Sequence, residues 1–196
     1  MNEINSTQLE LPLVALRGLT VLPDMIIHFD LTRKFSKAAV EHAMTETQQI
    51  FLVAQKNPEQ EEPKAEDLYQ MGTVSQIKQI VKMPNGILRV MVEGLERAAL
   101  LTLFEDGQYL EAEIEDAPMQ EEQLSDTVKE AMSRIVKEKL EEFGNANPKA
   151  VKDFIGSLLV ITDLEPLLTQ TANEFPWDFA VKQELLECDY VSHLYD

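Results

Sequence analysis

Residues 83–94 read MPNGILRVMVEG and contain the most specific turn signal in the chain. Asn85-Gly86 is a pair that tolerates positive φ, as a two-residue type I′ turn requires. The apolar residues that follow this pair have a period of two: Leu88, Val90 and Val92. That period is typical of a β-strand with one buried face, and Gly94 predicts a second reversal or a bulge. The stretch therefore predicts an antiparallel hairpin.

Strand signals continue on both sides of this hairpin, up to Pro118. Residues 110–115 alternate between apolar side chains and glutamate, which indicates a half-buried antiparallel strand. Residues 50–54 form a compact apolar run, and Asp106-Gly107 predicts a turn. One short helix is predicted with Ser36 as its N-cap. Its predicted buried stripe comprises Ala39, Val40, Ala43 and Met44. Residues 1–118 are therefore predicted to form a small, partly open β-barrel or folded sheet.

The apolar period changes to 3.6 after Pro118, which predicts a helical subdomain over residues 119–196. The stripe of its first helix comprises Leu124, Val128, Ala131, Met132, Ile135, Leu140 and Phe143, and Gly144 ends it. Asn147-Pro148 predicts the start of a second helix, and a third short helix lies within 163–171. A final helix begins near Asp178, with Val181, Leu185 and Leu194 on its apolar stripe. Because this stripe reaches Tyr195-Asp196 without a cap, we expect the helix to be truncated. The predicted fold class is α+β.

The composition excludes several classes of partner and site. The formal net charge is -18, so phosphate backbones and anionic membranes are repelled on average. The densest basic run, Arg33, Lys34 and Lys37, is short. Cys188 is the only cysteine, which excludes an internal disulfide. No apolar run approaches the roughly 20 residues that span a bilayer, and no signal-peptide pattern is present. These features predict a cytoplasmic protein that binds neither nucleic acid nor membrane.

Catalytic and cofactor motifs are missing as well. No glycine precedes a Lys-Ser or Lys-Thr pair, so the phosphate-binding P-loop is missing. The three histidines lack zinc-ligand spacing: His28, His42 and His193. Ser133 and Lys137 have the spacing of a Ser–Lys dyad, but they lie on an ordinary amphipathic helix. We therefore predict no catalytic, cofactor-binding or metal-binding residue.

Eight short strings of residues, taken in order, are similar to those of a known protein family. They are LPL (11–13), LR (16–17), VLPDM (21–25), FLVAQK (51–56), DLYQMGTV (67–74), MPNG (83–86), VEGLERA (92–98) and KQELLE (182–187). In this order they resemble the N-terminal domain of Lon, the ATP-dependent protease, which is the LON substrate-binding domain family. The chain departs from the family at His28, Leu31-Thr32 and His193, and residues 119–171 match loosely.

The resemblance implies a β-rich, PUA-like pseudo-barrel followed by a helical bundle. It implies a cytoplasmic, homo-oligomeric parent, an ATP-dependent serine endopeptidase with AAA+ and Ser–Lys protease modules that uses ATP and magnesium. The expected role of this chain is to capture unfolded or damaged proteins, to deliver them to the unfoldase and to assist ring assembly. Three other roles stay open: a free-standing adaptor or scaffold, an RNA-binding module, which the net charge disfavours, and an independent hydrolase.

Capture of varied unfolded proteins requires an accessible apolar surface. Our candidate is the turn around Leu22, Pro23, Met25 and Ile27, because Pro23 and Asp24 favour a surface turn and methionine adapts to varied partners. The alternative is that Met25 and Ile27 face the core. A second candidate is Phe175-Pro176-Trp177, which could instead staple the last helix to the bundle.

Overall fold

The structure, a computed structural model, describes residues 8–105, 107–147 and 152–195. It divides into two compact units. The first unit comprises Met1–Pro118 and Asp178–Glu187, and the second comprises Met119–Trp177 and Cys188–Asp196. The division after Pro118 lies where the apolar period of the sequence changes from two to 3.6. Residues 178–187, however, group with the first unit, whereas the sequence placed them in the helical subdomain.

The described residues of the first unit form a six-stranded sheet and two α-helices. Its elements are β1 (Gln8–Leu16), β2 (Ile26–Leu31), α1 (Lys34–Thr45), β3 (Gln49–Ala54), β4 (Met71–Lys82), β5 (Leu88–Phe104), β6 (Leu110–Asp116) and α5 (Phe179–Glu187). The strand order is β2-β5-β4-β3-β1-β6, and β6 also pairs with β5. This last pairing closes β5, β4, β3, β1 and β6 into a barrel and leaves β2 outside the ring. The predicted α+β class is confirmed.

Closure depends on β5, which has 17 residues. It pairs with β2 over residues 88–93, with β4 over residues 88–99 and with β6 over residues 98–104. Its register shifts at Leu95 and at Leu101, and such bulges bend a strand and increase its twist. Gly94 therefore precedes a bulge within a continuous strand and is not a reversal.

Two cores lie on opposite faces of β1 and β3. On β1, Val14 and Leu16 belong to the core that also contains α1, and Leu13 and Ala15 belong to the other core. Residues 50–54 of β3 divide in the same way, since Ile50 and Leu52 face the first core and Phe51 and Val53 face the second. Burial on both faces explains why these strands read as continuous apolar runs instead of alternating ones.

The hairpin between β4 and β5 is present, but its turn is longer than predicted. Lys82 pairs with Leu88, and the Met83 N–H donates to the Ile87 carbonyl at 2.8 Å. Asn85 and Gly86 have φ of 73° and 74°, so both adopt the positive φ that was expected. A two-residue turn would need an N–H from Pro84, which proline lacks, and this explains the three-residue connection.

Helix α1 begins three residues earlier than predicted. Its N-cap is Arg33, whose side chain makes no capping hydrogen bond, and Ser36 lies inside the helix. The predicted stripe is buried at Ala39, Val40 and Ala43, but Met44 is 37% exposed. Serine is common at N-caps because its hydroxyl can accept a backbone N–H; here that hydroxyl is buried, and no described residue hydrogen-bonds it.

We expect Ser36→Ala to stabilise the first unit by about 1 kcal/mol, because it removes a buried hydroxyl without a described partner and raises helix propensity. Thr73→Val is the matched control, since the Thr73 hydroxyl is equally buried but donates to the Val21 carbonyl at 2.6 Å. That change should destabilise by about 1–2 kcal/mol. Urea unfolding measures both variants. A destabilised Ser36→Ala would show that the hydroxyl has a partner.

The second unit is helical. It contains α2 (Asp126–Ala146), α3 (Lys152–Leu159), α4 (Leu164–Glu174) and α6 (Val191–Tyr195). Ser125 caps α2, because its hydroxyl accepts the Val128 N–H at 3.4 Å. The core of this unit comprises Leu140, Ile155, Leu158, Leu167 and Phe175. Within the residues described, no helix has the length and apolar character needed to cross a membrane.

Three predictions differ from the helices found. Helix α2 continues past Gly144, and of its predicted stripe only Leu140 is buried, whereas Val128 and Ile135 are 43% and 39% exposed. The single final helix is two helices, α5 and α6, separated by residues 188–190. The predicted helix start at Pro148 and the Asp106 turn position lie outside the described residues.

Candidate functional site

The segment that precedes β2 is held in one conformation by hydrogen bonds to the barrel. The Asp24 N–H donates to the Gly94 carbonyl at 2.9 Å, and the Gly94 N–H donates to the Met25 carbonyl at 2.8 Å. The Thr73 hydroxyl donates to the Val21 carbonyl. Asp24 has φ of 64°, which aspartate tolerates better than most residues. The predicted turn therefore exists and is fixed to β4 and β5.

Helix α5 packs against the same segment within the first unit. The Thr20 hydroxyl donates to the Phe179 carbonyl at 2.9 Å, and the buried Gln183 amide donates to the Met71 carbonyl at 3.0 Å. The start of α5 is capped by Asp178, whose carboxylate accepts two backbone N–H groups at 3.0 Å. These bonds explain why residues 178–187 group with the barrel.

The four residues chosen from the sequence do not form an exposed apolar surface. Leu22 is 4% exposed and belongs to the core, and Pro23 is half-buried. Met25 and Ile27 are half-buried and pack against the core that contains α1, and the Met25 sulfur accepts the Leu22 N–H at 3.3 Å. The inward alternative thus describes Met25 and Ile27 correctly. Substrate contact by the four residues stays a prediction.

The exposed apolar side chain of this region is Ile26, which sequence reasoning missed. It is 67% exposed, more than any other large apolar side chain described in the first unit. The signal was present in the alternation of β2. Successive side chains of a strand point to opposite faces. Phe29 and Leu31 lie on the inward face with Ile27, and His28 and Asp30 lie on the exposed face with Ile26.

Two pairs of opposite charges lie near Ile26. Arg89 donates two hydrogen bonds to the Asp30 carboxylate, at 2.7 and 2.8 Å, and these bonds hold the pKa of Asp30 below its usual value. Lys78 forms an ion pair with Glu93 at 2.5 Å, and Glu93 is the cross-strand partner of Ile26. These two pairs cancel, so the charges beside Ile26 sum to zero apart from the exposed Asp24 carboxylate two residues earlier, in a chain of net charge -18.

A shallow groove on the same sheet face has a volume of about 210 Å³. Its lining comprises His28, Gln79, Val81, Arg89 and Met91. Val81 is 40% exposed and adds apolar area to this face. The arrangement can accommodate an uncharged segment of another polypeptide, and it offers no positive patch for phosphate.

Arg33 belongs to the densest basic run, but its guanidinium is used inside the fold. It donates to the Gln55 side-chain oxygen at 2.7 Å and to the Ala15 carbonyl, and it lies over the Phe35 ring at 4.8 Å. Burial lowers its pKa to about 10, with the nearby positive charge of Arg17 as the second cause. Arg33 therefore joins the ends of β1 and β3 and adds little positive charge to the outer surface.

The aromatic loop and the Ser–Lys pair that the sequence offered do not form a functional site. Phe175 is 8% exposed and packs in the helical core, where it stacks on Trp177 at 5.0 Å, and Trp177 is 41% exposed. Ser133 and Lys137 lie on α2 without a hydrogen bond between them. Over the part of the chain that the structure describes, no group of three His, Cys, Asp or Glu side chains is placed to hold a metal ion.

Comparison with solved structures identifies the class of the fold. The N-terminal domain of a Mycobacterium avium complex Lon protease superposes with a TM-score of 0.70 at 21% identity, covering 95% of this chain and 94% of that one. A Lon N-terminal domain protein from Xanthomonas campestris gives a TM-score of 0.64 at 15% identity, with 95% of each chain covered. The chain thus has the fold of Lon N-terminal domains.

Sequence comparison then identifies the family. Residues 10–193 match the model of the ATP-dependent protease La (LON) substrate-binding domain. The Lon protease of Lachnoclostridium phytofermentans is 38% identical over 187 residues, and that of Clostridioides difficile is 35% identical over 181. The chain belongs to the LON substrate-binding domain family. The match covers 95% and 91% of this chain but 23% of each relative, so it spans about a quarter of their length.

Proposed function

We propose that this domain captures unfolded or damaged polypeptides for a Lon-type, ATP-dependent protease and delivers them to its AAA+ unfoldase. Membership of a substrate-binding family supports a role in binding proteins. The observation that carries the proposal is the exposure of Ile26, 67%, on a strand whose leading segment is fixed by hydrogen bonds. An exposed aliphatic group on a rigid support binds without a large loss of conformational entropy.

The acidic surface fits this role. A net charge of -18 keeps a domain with an exposed apolar site soluble and discourages association between copies through that site. The paired charges beside Ile26 avoid repelling an uncharged segment. Exposed apolar segments are common in unfolded proteins and rare on folded ones, so this surface selects for the unfolded state.

We expect Ile26→Asp to weaken binding of an unfolded protein at least tenfold, because a carboxylate would replace the apolar contact. The measurement is a fluorescence titration of the chain with reduced, carbamidomethylated lysozyme, and the native, oxidised lysozyme is the folded comparison. Wild type should bind the reduced form at least tenfold more tightly than the native form.

Leu101→Asp is the matched control, because Leu101 is 44% exposed at a bulge in the second half of β5. It introduces the same charge on the same unit and should leave binding unchanged. Equal, negligible binding of wild type to reduced and native lysozyme would refute capture. Equal losses in the two variants would show that charge, not the position of Ile26, controls the affinity.

The parent's other activities belong to the same proposal. We infer that it is a cytoplasmic, ring-forming serine endopeptidase that uses ATP and magnesium. This chain's residues do not fit those cofactors, because no Gly-Lys-Ser or Gly-Lys-Thr occurs in the sequence and no metal-holding group is present among the described residues. ATP and magnesium would therefore bind elsewhere in the parent, and bond cleavage would occur there.

A further inference from the structure

We propose that β2 binds an extended, uncharged segment of an unfolded protein as an added β-strand, with Ile26 packing against its side chains. The inference rests on the proposed function and specifies how the captured polypeptide is held. Main-chain hydrogen bonds would supply affinity that does not depend on sequence, as in other cases of strand addition to a sheet edge. This property suits a domain that meets many different substrates.

The hydrogen bonds of β2 show that one of its edges is available. Within residues 8–105, 107–147 and 152–195, β2 has a single neighbouring strand, β5. The Gly94 N–H donates to the Met25 carbonyl at 2.8 Å, which sets the phase of the antiparallel ladder. Ile27, Phe29 and Leu31 then pair with β5, and Ile26, His28 and Asp30 direct their N–H and C=O groups away from it.

The strand lacks the usual protection of an edge. Natural edge strands carry lysine, proline or a bulge, or are covered by another element. The six residues of β2, IIHFDL, contain neither lysine nor proline, and their register with β5 is continuous from Ile26 to Leu31. The one acidic residue, Asp30, is paired with Arg89 across the strands. Among the described residues of the first unit, no strand pairs with this edge, and its sequence does not prevent a partner strand from doing so.

The chemistry of the edge specifies its occupant. Directly opposite side chains on paired strands lie about 5 Å apart, so an aliphatic residue of the added strand would cover Ile26. The paired charges of Asp30 and Arg89, and of Lys78 and Glu93, give no preference for a charged segment. The net charge of -18 disfavours acidic segments and second copies of this chain. An uncharged segment of alternating aliphatic and polar residues fits best.

The test uses an acetylated and amidated peptide of alternating valine and threonine in two backbone-methylated forms. In one form the N–H groups of one edge are replaced by N-methyl groups, and in the other form those of the opposite edge are replaced. Each form keeps a single edge able to pair, so it can at most dimerise and cannot grow into a larger sheet. Calorimetric titration of the full chain measures binding.

His28→Pro removes an outward N–H, and proline is tolerated on an edge strand whose N–H faces solvent. It should bind the peptides at least tenfold more weakly than wild type, and His28→Val should bind them like wild type. Strand addition requires peptide N–H groups on the pairing edge, so a third peptide with both edges methylated should not bind. Circular dichroism shows whether each variant is folded.

The outcomes separate this inference from the proposed function. Binding of the singly methylated peptides, lost in the doubly methylated peptide, supports strand addition. If reduced lysozyme binds wild type and the doubly methylated peptide binds as well as the others, the edge is not used, although capture stands. Should neither reduced lysozyme nor any peptide bind, both the capture role and strand addition are wrong. If His28→Pro unfolds, the three peptides still decide the matter with wild type.

Discussion

Gly94→Ala is expected to lower the free energy of unfolding of the first unit by about 3 kcal/mol. A Cβ atom at this position would lie 2.3 Å from the Leu22 carbonyl oxygen and 3.1 Å from its carbonyl carbon. These are backbone atoms, so no side-chain rotation can relieve the overlap. The segment would have to move away from β5, which would break the hydrogen bonds that join Gly94 to Asp24 and Met25.

Urea unfolding followed by circular dichroism measures this loss, with Gly86→Ala as the control in the same unit. Gly86 has φ of 74° but no heavy atom within 4 Å of its added Cβ, so backbone strain alone should cost about 1 kcal/mol. The same Gly94→Ala variant should bind reduced lysozyme more weakly, because the displaced segment leads directly into Ile26. Equal stability of the two variants would show that the segment adapts to the extra methyl group.

Local features of the barrel could be predicted from the sequence. The alternation in residues 88–92 and 110–115, and the apolar run at 50–54, each became a strand. Closure of the barrel could not be predicted, because it depends on two bulges in β5. Gly94 signals the bulge at Leu95 without excluding a reversal, and Leu101 carries no turn signal. A bulge is set by the register with the neighbouring strand, which a single sequence does not specify.

The turn that leads into β2 could be predicted from the sequence, but the exposed apolar residue beside it could not. Sequence reasoning identified the turn at Pro23-Asp24 but chose Ile27 instead of Ile26, and a shift of one residue in a strand exchanges the buried and exposed faces. Leu22 was also assigned to the surface. Its burial results from the close approach of its backbone to Gly94. The sequence shows the glycine but does not show which distant residue approaches it.

The grouping of α5 with the barrel could not be predicted either, because it too depends on a long-range contact. Its apolar periodicity predicted a helix, and Asp178 predicted the start, and both are found. The affiliation of the helix depends on Gln183, which is 1% exposed and bonds to Met71 more than one hundred residues away. A polar residue that is buried by a distant partner looks like a surface residue in the sequence.

The central claim is that unfolded polypeptide binds along the outer edge of β2. Hydrogen–deuterium exchange resolved for single amides by NMR tests it directly, with the chain alone and with an excess of the valine–threonine peptide whose one edge stays unmethylated. Because the outward amides gain hydrogen bonds, we expect exchange at Ile26, His28 and Asp30 to slow at least tenfold. Ile27 and Phe29, already paired with β5, should change little. Protection that appears around Trp177 instead, with the three outward amides unchanged, would contradict the claim.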